Sequence, residues 1–436
     1  MILTTVALAA ALSANEIPAF PGAEGAGRLA VGGRGGGVFH VTSLADSGPG
    51  TLREAIEARG PRTVVFDLGG TIRLETPLVI RHGQITLAGQ TAPGGGITLR
   101  DQSLVVQADD VVIRYIRSRL GDESNTEADA ISVNSGSRII LDHVSASWSV
   151  DETLSLGNRY DPPERGLYDV TVQWSLIAES LNESIHGKGA HGYGSLVRGG
   201  FGARFSFHHN LWAHHRARMP RPGNYNDPTV DPTGPLIEFR SNVFYNWGGS
   251  RAGYNSDEAQ LATYAFIDNA YVRGPDSTRP IAFEEESQGG RAWFQGNLMD
   301  GAQPADPWSL VVGEVAPTYR LSTAPDIAPV TADPAASAYD RVLAGAGASL
   351  RRDSVDARIV GSVAARDGRL INTQGEVGGW PELATGEAWI DTDGDGMPDD
   401  WEACQGLDPA DPGDGPADRD GDGYTNLEDW LNSLTR

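Results

Sequence analysis

The chain has 436 residues, 58 of them acidic against 34 Lys and Arg, so it carries a formal net charge of −24 at neutral pH. That sign excludes nucleic acid as a general partner, because phosphate binding needs a positive footprint. With 39% hydrophobic residues the chain can bury a large core, and its single cysteine, Cys404, excludes an internal disulfide.

Met1 to Ala14 is a run of Ile, Leu, Val and Ala ending in small residues, the pattern of a secretory leader over positions 1–14, with cleavage expected after Ala11 or Ala14. No basic stretch precedes it; the first cation is Arg28. No later segment approaches the roughly 18 apolar residues that span a bilayer, so a secreted, extracellular or periplasmic protein without a membrane partner is expected.

A recurrent short strand pattern then runs from about residue 62 to 300. It includes Val111 to Tyr115, Ile139 to His143, Val170 to Trp174, Phe205 to Asn210, Ile237 to Asn242, Ala265 to Asn269 and Trp293 to Asn297. Aligned on the last polar position, Tyr115, His143, Ser175, Asn210, Asn242, Asn269 and Asn297 stand in register, with gaps of 28, 32, 35, 32, 27 and 28 residues. Apolar runs at that period, divided by Gly, Asn and Asp turns, mark stacked coils instead of a closed globule. The four Asn at one coil position can stack their amides, a structural role for Asn210, Asn242, Asn269 and Asn297. Ala336 to Ala348 is the best helix candidate, weakened at its end by Gly345 and Gly347. The fold expected is all-β, a right-handed parallel β-helix solenoid, with a β-sandwich as competitor.

Charge is unevenly placed. From Ser184 to Asn226 the chain has one Lys, five Arg, six of its nine His and no Asp or Glu. Uniform density would put about six carboxylates there, so the window suits an anionic ligand. Four of its His, His208, His209, His214 and His215, sit as adjacent pairs; neighbours on a strand face opposite ways, which favours packing over a shared metal.

Phe20-Pro21-Gly22-Ala23-Glu24-Gly25, the Asp129-Ala130-Ile131 turn, Leu141-Asp142-His143, Lys188 and Arg218-Met219-Pro220 together resemble the pectate lyase family, over roughly residues 20–372. The resemblance implies a parallel β-helix, secretion and Ca²⁺-dependent β-elimination on polygalacturonate. In such a reaction a proton leaves the carbon bearing the uronate carboxylate, which requires neutralising the developing enolate. By resemblance Arg218 is the proton-abstracting base and Lys188 binds substrate. The family's further Arg is Gly223 here, so Arg221 or Arg216 takes over that contact. Asp129 and Asp151, with Glu127 and Glu152 beside them, are the candidate calcium ligands; the family's carboxylate four residues after the position of Asp151 is Ser155. Asp142 and His143 are expected to be a structural pair.

The last segment is distinct. Asp391, Asp393, Asp395, Gly396 and Glu402 fit positions of an EF-hand calcium loop, and Asp418, Asp420, Asp422, Gly423 and Asp429 repeat the pattern 27 residues later. This resembles dockerin or thrombospondin type-3 repeats. Trp401, Leu407, Tyr424, Leu427, Trp430 and Leu431 provide a small core. The expected division is a lyase domain over 17–385 with a C-terminal wrap, and a calcium-binding module over 386–436 that can dock a partner, in a monomer. Competing readings are a hydrolase on the same fold, which needs paired catalytic carboxylates, a pectin lyase, and a non-catalytic pectin-binding module.

Overall fold

Each coil of the chain lays down three short strands in turn, and each strand pairs in parallel with the equivalent strand of the next coil. In one coil these are Leu167–Gln173, Leu176–Ala178 and Leu196–Gly199, after which Arg204–His208 returns to the first sheet. The structure is a computed structural model that describes residues 17–160 and 163–435; the expected leader lies outside them. Among these, the first sheet has ten strands, from Gly37–Val41 to Gly290–Gln295, and the second has nine, from Gly70–Arg73 to Leu298–Met299. The third runs from Leu78–Ile80 to Arg221–Asn224, and a separate set, Gly253–Asn255, Phe283–Glu285 and Val311–Gly313, follows it along the chain. Strand Ile131–Asp142 pairs in both the third and the first sheet and so joins them. The parallel β-helix expected from the sequence is the observed architecture.

Stacking at the inter-strand spacing of about 4.8 Å places like residues on like. Inside, Phe207, Phe239, Phe266 and Phe294 form a column with ring centroids 5.3, 5.1 and 5.3 Å apart. At the turn between the first and second sheets, the amides of Asn210, Asn242 and Asn269 each donate to the next Asn, at 3.1, 3.0 and 2.8 Å, ending on Asn297. All four are buried.

The register of the first coils needs one correction. Arg114, Asp142, Gln173 and His208 are the paired strand ends, so Tyr115 and His143 align with Trp174 and His209, not with Ser175 and Asn210. Their rings form a second, outer column, Tyr115 on His143 at 4.7 Å, His143 to Trp174 at 6.0 Å and Trp174 on His209 at 4.3 Å. The Asn ladder begins one residue later, where Asn210 accepts from the Ser175 amide at 2.8 Å. Polar character alone could not separate these two adjacent columns, because a slip of one residue moves a side chain from one face to the other.

Helices cover what the sheets leave open. Helix α1 (Leu52–Glu57), capped by Thr51, buries Leu52, Ala55 and Ile56 with Val41 and Leu78. Helices α2 (Ala335–Gly345) and α3 (Ser354–Ala365) pack Val342, Val355, Ile359 and Val363 on Leu176, Leu211, Ala213 and Val243 of the second sheet. α2 starts one residue from the expected position; α3 was not anticipated. Buried Arg119 pins α3 through Asp353 at 2.6 Å and Asp356 at 2.7 Å. The last segment, with helices α4 (Asp399–Gln405) and α5 (Asn426–Ser433), sets Met397, Leu427, Trp430 and Leu431 against Val65 and Ala88 of the first coils. Arg34 ties it down by an ion pair with Glu428 at 2.9 Å.

Candidate active site

Where successive coils approach the third sheet, residues far apart in sequence become neighbours. Asp129 precedes the strand starting at Ile131, Glu152 precedes Leu154, Tyr193 precedes Leu196 and Arg218 precedes Arg221. Parallel bridges join Glu152 to Tyr193 and Tyr193 to Ala217. Coil stacking therefore brings the candidate base from the basic window beside the acidic coils, although the window itself contains no carboxylate.

Arg218 is held on three sides. Its guanidinium lies 3.9 Å from the Tyr193 ring centre, its Nε donates to the Tyr254 hydroxyl at 3.4 Å, and its Nη1 pairs with Glu152. The carboxylates of Asp129, Asp151 and Glu152 can each offer an oxygen with all three within 4.8 Å of one another. Burial first, and then the Asp151 charge, push Asp129 up to about 7, against the pull of Ser132, Ser155 and Arg218. Like charges gathered this closely while one is buried suit a hard divalent cation that takes oxygen ligands. Ser155 hydrogen-bonds to the Asp129 carboxylate.

Glu127 does not join this trio. It accepts from the Gly187 amide at 2.9 Å and lies 3.1 Å from His186 Nδ1, so it anchors the loop that carries Lys188. Lys188 is exposed on that loop, and its amide meets His186 Nδ1 at 3.1 Å. Arg216 is exposed and donates to the Ala190 carbonyl. Arg221 Nη2 donates to Ser256 at 3.0 Å and lies 4.0 Å from Asp257; burial, with Arg198 nearby, lowers its pKa. A Cβ at Gly223 would collide with Arg198 and Asp257, which are themselves ion-paired, so a larger side chain does not fit at this position.

An open cleft of about 700 Å³ beside Arg218 is lined by Tyr193, Arg216, Arg251, Tyr254, Ser256 and Asp276. A larger groove of about 830 Å³ crosses the coils elsewhere, along Arg81, Asp109, Arg138 and Tyr168. None of the carboxylate trio lines it, and unlike the smaller cleft it does not include Tyr193 and Tyr254, the two rings against Arg218. His208, His209, His214 and His215 are all buried. Burial lowers the pKa of each, His209 to about 4 and His215 to about 3, as packing residues require. Asp142 pairs with His143 at 2.9 Å and Arg114 at 2.8 Å; burial opposes its ionisation, but these partners hold it below the usual carboxylate range.

In the last segment Asp391, Asp393 and Asp395 converge, as do Asp418, Asp420 and Asp422. Asp395 and Glu402 also meet Asp414, which loop spacing did not reveal. Burial and then the neighbouring carboxylates raise Asp395 and Glu402 to about 7. Asp429 lines a pocket with Asp420 and Asp422.

No family profile matches the sequence. Whole-length relatives do. A protein of Aspergillus flavus named probable pectate lyase C is 38% identical over 435 residues, covering 96% of this chain and 94% of its own. A protein of the same name from Emericella nidulans is 36% identical, covering 97% and 94%. The chain belongs to the pectate lyase family. The fold agrees: Jun a 1, the major allergen from cedar pollen, matches with a TM-score of 0.53 at 18% identity, over 74% of this chain and 92% of its own. A pectate lyase structure described in terms of substrate specificity and the anti β-elimination mechanism matches with a TM-score of 0.52 at 13% identity, over 78% and 100%. Tyr193 and Tyr254, which hold Arg218, are residues of the candidate site that the sequence did not single out. An aromatic one coil above or below the candidate base was the available signal.

Proposed function

We propose that the protein is a secreted pectate lyase that cleaves de-esterified polygalacturonate by β-elimination, with Arg218 as the base. The observation that supports this reading is a guanidinium from a carboxylate-free window paired with Glu152, whose carboxylate gathers with those of Asp129 and Asp151. Those three carboxylates are the proposed calcium ligands, and a cation bound there supplies neutralisation of the uronate carboxylate, easing enolate formation. Tyr193 and Tyr254 orient the Arg218 side chain, which in its neutral guanidine form takes the proton from the carbon bearing the carboxylate. The electron pair left behind forms the C=C bond as the glycosidic C–O bond at the β carbon breaks, and the leaving oxygen takes a proton from water. Glu152 is paired with Arg218 and is also one of the three carboxylates, so its engagement as a cation ligand would loosen its hold on the guanidinium. Lys188, Arg216 and Arg221 bind uronate carboxylates along the cleft, where compact and forked cations fit an anionic chain.

The two Asp-rich loops, Asp391, Asp393, Asp395 and Glu402, then Asp418, Asp420, Asp422 and Asp429, are proposed as further calcium sites. They stabilise the segment over 386–436 against the lyase domain over 17–385 and can dock a partner; the protein acts as a monomer. Incubation with polygalacturonate, with calcium and then with chelator, tests the reading by ultraviolet absorbance of the unsaturated product and a parallel count of reducing ends. Calcium-dependent absorbance is expected. Reducing ends without absorbance would mean hydrolysis, and neither signal would mean binding alone.

A further inference from the structure

Beside the carboxylate trio stands a group of another chemistry. His186 and His191, on the loop that carries Lys188, are both buried, and their rings stack at 3.8 Å with planes 17° apart. His191 Nε2 lies 2.9 Å, and His186 Nε2 3.9 Å, from Asp151 Oδ1. That oxygen atom is buried, with the His191 imidazole as its close partner. Asp151, His186 and His191 can each offer one ligand atom, with all three within 4.8 Å of one another. In a tetrahedral zinc site, bonds of about 2.0–2.1 Å put neighbouring ligand atoms about 3.3 Å apart, between the two distances observed.

We propose that His186, His191 and Asp151 form a binding site for a borderline transition-metal ion of the zinc class, separate in chemistry from the oxygen-only calcium trio. Imidazole nitrogens suit such ions, whereas calcium selects oxygen. The outer shell is also present: Glu127 Oε1 lies 3.1 Å from His186 Nδ1, the carboxylate–histidine arrangement that fixes the tautomer of a metal-bound imidazole. A metal on Nε2 selects the form with a proton on Nδ1, which faces Glu127 and gives up the contact with the Lys188 amide. Three protein ligands leave a fourth position for water. Because Asp151 belongs to both groups, an ion held by the histidines withdraws an oxygen from the calcium trio and acts as an inhibitor of the proposed lyase. The histidine site itself does not depend on that lyase reading.

The test is titration of the full-length, calcium-free protein with Co²⁺, followed by visible absorption, since tetrahedral nitrogen-containing sites absorb far more strongly than the octahedral all-oxygen loops. One equivalent giving intense bands that Zn²⁺ displaces is expected. His191→Ala should abolish the bands, and Glu127→Gln should weaken binding by about 10–100-fold. Absent bands in the wild type, or bands unchanged in both His186→Ala and His191→Ala, would overturn the site. In a lyase assay Zn²⁺ should raise the calcium concentration required by the wild type but not by His191→Ala. A protein without lyase activity would still show the cobalt bands, so the two readings fail separately.

Discussion

At the scale of the residue, Arg218 is defined by what holds it. A planar fork stacked on Tyr193 and bonded to Tyr254 cannot be reproduced by an ammonium, which is a point charge on a flexible stem. Arg218→Lys should therefore lower turnover on polygalacturonate by at least about 100-fold with the fold intact; retention within about tenfold, or 1.4 kcal/mol of barrier, would remove it as the base. Asp129→Ala and Asp151→Ala each delete one hard oxygen ligand and should raise the calcium concentration for half-maximal activity at least about tenfold. An unchanged requirement in both would place the metal elsewhere. Glu285 offers a test of buried charge away from the cleft. Burial raises its pKa to about 8 while it accepts from Tyr264 at 3.1 Å and the Ser287 amide at 2.9 Å. A folded-state value above the unfolded one means that its contribution to stability is full below about 4.3 and is lost as pH rises through about 8. Glu285→Gln mimics the protonated form, so thermal melts should show the variant gaining on the wild type from pH 5 to pH 9. A constant difference across that range would show that the carboxyl titrates normally.

At the scale of the element, the coil is the repeating unit and its turns carry the specific interactions. Asn242 accepts from the Asn210 amide at 2.9 Å and donates to Phe207 O at 2.9 Å and to Asn269 at 3.0 Å. Asn242→Ala leaves several buried groups unpaired, each costing about 1–3 kcal/mol, and should destabilise the protein by about 3 kcal/mol with no change in the denaturant slope. A loss below about 0.5 kcal/mol in urea unfolding would show that the ladder is not a structural support. The Asn column was legible because Asn recurs four times at one position. The neighbouring ring column was not, since Tyr115, His143, Trp174 and His209 share planarity instead of identity. Helix α3 escaped notice for a related reason: its anchor is Arg119, 234 residues away from Asp353, and no local pattern reports a contact of that range.

At the scale of the molecule, the last segment is packed against the first coils and tied to them through Arg34 and Glu428. Its carboxylate loops do not line the cleft near Arg218, so calcium bound at these proposed sites would act by mass action on the folded form, about 2.7 kcal/mol per site at a hundredfold excess over Kd. Removal of residues 391–436 should leave turnover within about twofold while uncovering Val65 and Ala88 and reducing the rise in Tm that calcium produces. A truncated protein that folds yet loses most of its turnover would show that the segment reaches into the cleft.

The sequence by itself determined the coil architecture, because a period near 30 residues and alternating apolar strands have one economical packing. It also determined the carriers of charge: a window without carboxylates, acidic turns before it, and two Asp-rich loops after it. Only the tertiary structure decided which of these meet. Glu152 faces Arg218, Glu127 turns away to hold the Lys188 loop, Arg198 fills the space over Gly223, and His186 and His191 close on Asp151. Such pairings depend on loop lengths between coils and on which side of a turn a side chain leaves, and neither is encoded in local periodicity.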